Sequence, residues 1–171
     1  MCKKINVIVF CNKCQVLDYL KHFVEERKCF FEILIWVKTN PVPLANGAYL
    51  RDKEYILAFW ESGAERNVNC VKNAHTVFFE PINQRDKKFF SHPTIKPLSI
   101  VSKLVISASR AGGVILDPFM GSGTTAVACK DNGRHFIGFE QNPKWCEIAN
   151  GRLKGKTKKM DTENYEQETL L

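Results

Sequence analysis

Apolar residues along this chain alternate between short continuous runs and positions spaced three or four residues apart. The continuous runs are rich in β-branched and aromatic residues, which predicts strands. They lie at 5–10, 30–37, 55–60, 76–79, 114–116 and 135–140. Apolar residues at helical spacing predict helices at 14–26, beginning at 97, beginning at 124 and at 143–153. Strands that alternate with helices predict an α/β fold.

The segment 113–125, GVILDPFMGSGTT, carries the strongest local signal. Its apolar start predicts a buried strand, which runs into a turn that contains Gly121 and Gly123. Without a Cβ atom, these glycines let the backbone turn sharply and approach a ligand closely. The helix that follows opens with Thr124 and Thr125, and its first N–H groups have no intrahelical partner. We therefore predict that an anionic or polar ligand binds at this turn.

The same turn also fits a looser pattern from another class of protein. Residues 121–126 match G-x-G-x-x-A, and Glu140 lies near the acidic position of dinucleotide-binding folds. On these residues alone, an NAD-dependent oxidoreductase stays open as an alternative. Asp117-Pro118-Phe119 is unusual for that class, because its strand normally runs directly into the first glycine.

Three segments, taken in order, resemble the amino-methylating DNA methyltransferases. They are HPTIKP at 92–97, ILDPFMGSGTTAVA at 115–128 and GRHFIGFEQNP at 133–143. The family uses S-adenosylmethionine (SAM) to methylate adenine N6 or cytosine N4. The order is similar to its permuted β group, in which the cofactor motifs follow the catalytic ones. The resemblance covers most of residues 5–153 and implies a three-layer, Rossmann-like sheet, mostly parallel with one antiparallel strand.

The resemblance also implies a division of the chain. A methyltransferase domain would span 1–153, with a target-base half at 5–60, a short variable recognition segment at 61–91 and a SAM-binding half at 92–153. From 154 to 171 the chain is lysine-rich and then acidic, so we expect a disordered tail.

Each part of SAM has a matching residue in this resemblance. Glu140 would accept hydrogen bonds from the ribose hydroxyls, and Asp117 would accept one from the ammonium group or order a bridging water. Lys96 would pair with the carboxylate, and Phe119 would pack on the nucleoside. Taken singly, a surface carboxylate, a solvated lysine and a core phenylalanine remain ordinary alternatives. The predicted cofactor-binding residues are His92, Lys96, Pro97, Asp117, Pro118, Phe119, Gly121, Ser122, Gly123, Thr124, Thr125 and Glu140.

The motif that activates the target amine is missing from these 171 residues. In the family it reads Asp, Asn or Ser, then Pro-Pro, then an aromatic residue, and the segments at 40–43 and 142–145 do not match it. The catalytic residues therefore stay unassigned. In relatives the motif ends a strand between those at 114–116 and 5–10, so we expect a central strand to be missing here. An upstream segment or a second polypeptide would supply it; a degenerate enzyme or a non-catalytic SAM- or DNA-binding subunit is the alternative.

Candidates for the target-base pocket or for DNA contacts lie in the first half of the chain. The resemblance points to Lys38, Asn40, Arg51 and Glu54, each of which is equally ordinary as a surface polar residue. The basic and aromatic residues of 61–91 occupy the usual place of a recognition region. Adenine N6 is the favoured target over cytosine N4, as an expectation from the family.

Composition bears on the partner of this protein and on its cellular compartment. The net charge of +7 favours a polyanion such as DNA as partner. No apolar run is long enough to span a membrane, and no signal peptide is expected. Seven scattered cysteines do not form a disulfide framework, and the lone pair Cys11 and Cys14 lacks a second pair at zinc spacing. We therefore expect free thiols in a reducing cytoplasm and no metal site, and a restriction–modification role follows from the family.

Overall fold

The computed structural model describes residues 4–43, 49–68, 74–82 and 95–155. Within these residues, the strands are β1 (Asn6–Cys11), β2 (Phe30–Lys38), β3 (Lys53–Trp60), β4 (Val77–Glu80), β5 (Val114–Asp117) and β6 (His135–Gly138). The helices are α1 (Val16–Leu20), which continues as a π-helix (Lys21–Glu26), then α2 (Leu98–Ala108), α3 (Thr124–Asp131) and α4 (Pro143–Leu153). Every predicted strand is confirmed, and the predicted α/β class is confirmed with them.

Two local predictions were wrong in detail. The segment 14–26 forms one turn of α-helix and then widens, and the Arg27 N–H donates to the His22 carbonyl five residues earlier. The last strand ends at Gly138 rather than at Glu140. The chain leaves the strand there because the Glu140 side chain accepts backbone N–H groups from the turns around it.

The chain divides into two compact units. The first contains residues 1–82 and 103–110, and the second contains residues 83–102 and 111–171. In the first unit, four strands form a sheet in the order β1-β3-β2-β4. Strand β3 runs antiparallel to β1 and β2, whereas β4 runs parallel to β2. In this sheet β3 therefore opposes the other three strands, as the predicted topology requires.

One face of the first unit's sheet carries a hydrophobic core under α1. Successive side chains of a strand point to opposite faces, so Leu57 and Phe59 of β3 face the same side. They cluster with Cys11 and Cys29, all buried. Side chains of α1 and its π-helical continuation pack on this cluster, and the ring of Phe23 stacks on Phe59 with centroids 4.6 Å apart. Burial of these apolar groups anchors the first helix to the sheet.

Residues 103–108 of α2 lie against the opposite face of that sheet. Leu104 lines a small cavity together with Ile8, Leu34 and Ala58, which point away from the α1 side. The Asn6 amide donates to the Ala108 carbonyl at the end of α2, at 2.9 Å. The sheet of the first unit is thus covered by helical segments on both sides, which gives it three layers.

The second unit is built on a strand–helix–strand–helix sequence. Strands β5 and β6 run parallel, in register from Val114 opposite His135 to Asp117 opposite Gly138. Helix α3 connects them and buries Ala126, Ala128 and Cys129, whereas α4 buries Ala149 and Arg152.

One set of alternate positions in the β5–β6 sheet is exposed although it is apolar. Val114, Leu116 and Ile137 keep 63%, 60% and 51% of their surface exposed. Parallel sheets are normally covered on both faces, so this apolar surface is unusual for the architecture. Among the described helices, none combines the length and hydropathy needed to cross a membrane.

Candidate functional site

The ends of β5 and β6 bring two loops together at one edge of the second unit's sheet. Asp117 and Gly138 are paired in register, so the turn after β5 and the segment after β6 begin side by side. The Phe139 N–H donates to the Asp117 carbonyl at 2.9 Å, and the Met120 N–H donates to the Phe139 carbonyl at 2.9 Å. The carboxyl ends of parallel strands are where α/β folds bind ligands, and these loops form such an edge.

Glycine is required by close approach at two points of this edge. Gly123 precedes α3 with φ of 78°, in the left-handed region, and an added Cβ atom would lie 2.7 Å from the Ala149 Cβ atom. At Gly138, an added Cβ atom would collide with the Met120 sulfur. The predicted glycine turn is therefore packed directly against α4 and against the end of β6.

The Glu140 carboxylate lies between the two loops. Its Oε2 atom accepts the Gly121 N–H at 2.9 Å, and its Oε1 atom accepts the Asn142 N–H at 2.8 Å. An ionised carboxylate oxygen has two lone pairs, so each of these oxygens can accept a further hydrogen bond. The group is half-buried. Glu140 can therefore shape the edge and bind two neighbouring hydroxyl groups at the same time.

Asp117 and Phe119 form the start of the turn. The Asp117 Oδ1 atom accepts the Phe119 N–H at 3.0 Å, an Asx turn that directs the chain out of β5. The Phe119 side chain is 89% exposed, so the alternative of a core phenylalanine is wrong. An exposed ring next to a polar turn can pack on a flat, apolar-faced ligand.

The side chains of Ser122 and Thr124 point into the interior of the second unit. Both residues are buried, and both accept hydrogen bonds from the Arg152 guanidinium of α4. Sequence reasoning missed Arg152. The sequence pattern that could have identified Arg152 is its position on the apolar face of α4, three residues after the buried Ala149 and four after Ile148.

The predicted residues before α2 are only partly described. Lys96 is half-buried and Pro97 is buried, and the Pro97 carbonyl accepts the Val101 N–H as the helix begins. Both belong to the same compact unit as the glycine turn. His92 lies outside the described residues, as do the basic residues of 83–91 and the segment 156–171 of the predicted tail.

Two of the four predicted target-side residues meet in the first unit. The Lys38 Nζ atom lies 3.6 Å from the Glu54 carboxylate and 5.3 Å from the centre of the Trp36 ring. Asn40 instead binds backbone: its Oδ1 atom accepts the Ile82 N–H at 2.5 Å, and its amide donates to the Ile82 carbonyl at 3.4 Å. Arg51 is exposed. The structure thus joins Lys38 to Glu54 and gives Asn40 a structural partner.

The cysteines of the lone C-x-x-C pair differ in environment. Cys11 is buried and Cys14 is exposed, and both are free thiols. Burial, and to a smaller extent the charge of Glu54, raises the pKa of the Cys11 thiol. In the part of the chain that the structure describes, no three His, Cys, Asp or Glu side chains cluster as metal ligands would.

Comparison with known sequences finds DNA methyltransferases. A family model described as DNA methylase matches residues 3–151. The chain is 34% identical over 140 residues to the Type II methyltransferase M.HinfI of Haemophilus influenzae, covering 71% of this chain and 38% of that protein. It is 31% identical over 132 residues to the Type II methyltransferase M2.DpnII of Streptococcus pneumoniae, covering 70% of this chain and 49% of that protein. The chain thus spans less than half the length of these two relatives.

Comparison with solved structures agrees. The structure of an M1.HpyAVI–SAM complex superposes with a TM-score of 0.72 at 30% identity, covering 86% of this chain and 73% of that one. The cytosine-N4-specific PvuII DNA methyltransferase superposes with a TM-score of 0.69 at 15% identity, covering 87% and 63%, which supports the fold alone. The predicted Rossmann-like methyltransferase sheet is confirmed by these likenesses.

Proposed function

This chain belongs to the amino-methylating DNA methylase family, and we propose that it takes part in the transfer of a methyl group from SAM to an exocyclic amino group in DNA. The observation that carries the proposal is the edge formed by β5 and β6. There the Glu140 carboxylate accepts the backbone N–H groups of Gly121 and Asn142, and the Phe139 N–H donates to the Asp117 carbonyl.

The residues of this edge fit SAM. The free acceptor capacity of both Glu140 oxygens suits the two ribose hydroxyls, and the exposed Phe119 ring suits the flat adenine. The first N–H groups of α3 suit the carboxylate, for which Lys96 is a cationic partner, and Asp117 suits the ammonium group. SAM, when bound, supplies an electrophilic methyl group on its sulfonium. The protein's part here is to bind and orient that group.

The target nitrogen must be activated, and these 171 residues do not contain the motif that activates it in relatives. An exocyclic amine is a poor nucleophile because its lone pair is delocalised into the base, and relatives activate it with the Asp/Asn/Ser-Pro-Pro-aromatic motif. We propose that a segment outside this sequence, in a longer chain or in a second polypeptide, supplies the motif. The exposed apolar face formed by Val114, Leu116 and Ile137 supports a missing element that would cover this face of the sheet.

The partner that the charge favours is DNA. A net charge of +7 attracts the phosphate backbone, and Lys38, Arg51 and Glu54 remain candidates for contacts on the target side. We propose adenine N6 as the target and the cytoplasm as the location, both as expectations from the family. Two relatives are Type II methyltransferases, which favours a restriction–modification role. A non-catalytic SAM- or DNA-binding subunit is the second candidate, and the missing motif favours it.

Two measurements on the purified chain test this proposal. The first is calorimetric titration with SAM, with Glu140→Ala as the site variant and Glu147→Gln, an exposed carboxylate of α4, as the control. Failure of the wild-type chain to bind SAM would overturn the assignment of the site. The second is transfer of labelled methyl from SAM to unmethylated DNA, followed by nucleoside analysis. Labelled N6-methyladenine would support the proposed target, and transfer by the chain alone would contradict an external source of the motif.

A further inference from the structure

Arg152 is a charged residue inside the second unit. It lies in the last turn of α4 and is only 8% exposed. Its Nη1 atom donates to three acceptors of one short segment: the Ser122 carbonyl at 2.8 Å, the Ser122 hydroxyl at 3.2 Å and the Thr124 hydroxyl at 3.0 Å. Ser122 and Thr124 are buried as well, at 3% and 7% exposure. One guanidinium thus holds both sides of Gly123.

This arrangement holds the backbone of the turn as well as its side chains. The peptide group between Ser122 and Gly123 is bound at both ends, because its carbonyl accepts from Arg152 and its N–H donates to the Met120 carbonyl at 2.9 Å. The contact of Gly123 with Ala149 adds a second attachment to α4. The planar peptide unit therefore has little freedom to rotate.

The position of this charge is electrostatically unusual. Burying a guanidinium costs free energy unless its donors are satisfied, and the N-terminus of a helix already carries a positive partial charge. Arg152 adds a full positive charge directly behind the start of α3. The N-cap residue is Gly123, which has no side chain to accept the first helical N–H groups, and the Thr124 hydroxyl accepts from Arg152. Positive charge and backbone donors thus converge at one place, which is what an anionic group requires.

We infer that Arg152 is a positioning residue for the anionic end of the cofactor, holding Ser122–Thr124 so that the first N–H groups of α3 receive the SAM carboxylate. The inference rests on the proposed function, since it assigns the methionine end of SAM to this turn. Arg152 acts through the turn and through its charge, and it does not itself contact the ligand. Its effect is therefore specific for ligands that carry the amino-acid moiety.

The test compares two ligands that differ only in that moiety. S-adenosylhomocysteine has the carboxylate, whereas methylthioadenosine keeps the nucleoside and the sulfur but lacks the amino acid. Dissociation constants for both are measured by calorimetry on the wild-type chain, on Arg152→Met and on Lys130→Met. Lys130 donates to the Leu153 carbonyl, so it is a matched control that removes a tie between the same two helices without touching the turn.

The expected result is a selective loss of affinity. Arg152→Met should raise the dissociation constant of S-adenosylhomocysteine by about tenfold or more, and that of methylthioadenosine by less than about twofold. Lys130→Met should leave the ratio of the two constants unchanged. A purely structural role would weaken both ligands together or neither, and either outcome would overturn the inference.

Two outcomes separate failure of the proposed function from failure of this inference. If the wild-type chain binds neither ligand, the proposed function fails and the inference fails with it. If the wild-type chain binds both and Arg152→Met keeps the wild-type ratio, the inference alone fails. Should Arg152→Met not fold, Thr124→Val removes one of the three acceptors and should lower the same ratio by about two- to fivefold. An unchanged ratio in that variant would also overturn the inference.

Discussion

The Glu140 carboxylate accepts the Gly121 N–H at 2.9 Å, across 19 positions of sequence. This bond ties the segment after β6 to the glycine turn after β5. The second oxygen accepts the Asn142 N–H, and the Asn142 side chain in turn caps α4 by accepting the Lys144 N–H at 3.0 Å. One carboxylate therefore organises the turn, the strand end and the start of the last helix before any ligand is considered.

Replacement of Glu140 should affect both folding and binding. Glu140→Gln presents an amide NH₂ to one of the two backbone N–H groups, which leaves a donor without an acceptor and costs about 1–2 kcal/mol of stability. Affinity for SAM should fall by about tenfold or more, because one ribose acceptor is lost. Urea unfolding and calorimetric titration measure the two effects. The exposed Glu147→Gln serves as control, and a Glu140→Gln variant with wild-type affinity would contradict the assigned role.

Three glycines should respond differently to alanine. Gly123→Ala combines a left-handed backbone with a collision against Ala149 and should cost about 2–4 kcal/mol. Gly133→Ala, at φ of 67° with open space around it, should cost about 1 kcal/mol, from backbone strain alone. Gly151→Ala, within α4 and also in open space, should stabilise by up to about 1 kcal/mol. Urea midpoints at constant m rank the three. Equal losses at Gly123 and Gly133 would show that the packing against α4 contributes nothing.

Cysteine reactivity should follow burial. Burial raises the pKa of the Cys129 thiol from 9.0 to about 11, so at pH 8 only about one molecule in a thousand carries the reactive thiolate there. Brief alkylation at pH 8, followed by peptide mapping, should modify the exposed Cys14 and spare Cys129 until the protein is unfolded. Labelling of Cys129 at the rate of Cys14 under native conditions would contradict this packing.

The raised pKa of the Cys129 thiol also makes the free energy of unfolding depend on pH in a definite direction. Cys129 holds its proton more tightly in the folded than in the unfolded chain, so its contribution is complete below pH 9 and is lost as the pH rises toward about 11. Cys129→Ala should therefore flatten the fall of unfolding free energy between pH 9 and pH 11, as measured by urea titration at several pH values. An unaltered slope in this variant would argue against a buried, protonated thiol.

Asn40 should behave as a structural residue. Asn40→Ala removes both hydrogen bonds to the Ile82 backbone and should lower the free energy of unfolding by about 1–2 kcal/mol. Asn40→Asp keeps the acceptor and loses the donor, so it should lie between wild type and alanine. Thermal unfolding and DNA binding by fluorescence anisotropy are measured on the same samples. Weaker DNA binding with unchanged stability would instead favour the direct DNA contact predicted from the sequence.

The Lys38–Glu54 pair should be coupled more strongly than an exposed pair. Its side chains are only 17% and 20% exposed, and a double-mutant cycle with Lys38→Met and Glu54→Gln should give about 1 kcal/mol of coupling. The matched control is Arg110 with Glu65, 3.5 Å apart but 76% and 54% exposed, for which about 0–0.5 kcal/mol is expected. Similar values for both pairs would mean that partial burial adds nothing to the first.

Local sequence signals determined much of this protein. The six apolar runs became β1 to β6, and the glycine turn before α3 lies where GSGTT placed it. Such signals are readable because apolar periodicity and the missing Cβ of glycine act on the chain within a few residues. The order of the motifs also predicted the family, and the DNA methylase family model that matches residues 3–151 confirms it.

Tertiary structure decided the partners of the polar groups. Arg152 and Ser122 are 30 positions apart, and Asn40 and Ile82 are 42 apart, so no local pattern could pair them. The end of β6 at Gly138 and the inward orientation of Thr124 follow from such contacts as well. A buried polar group must find a hydrogen-bond partner wherever the packed chain brings one, and that choice is made only when the elements meet.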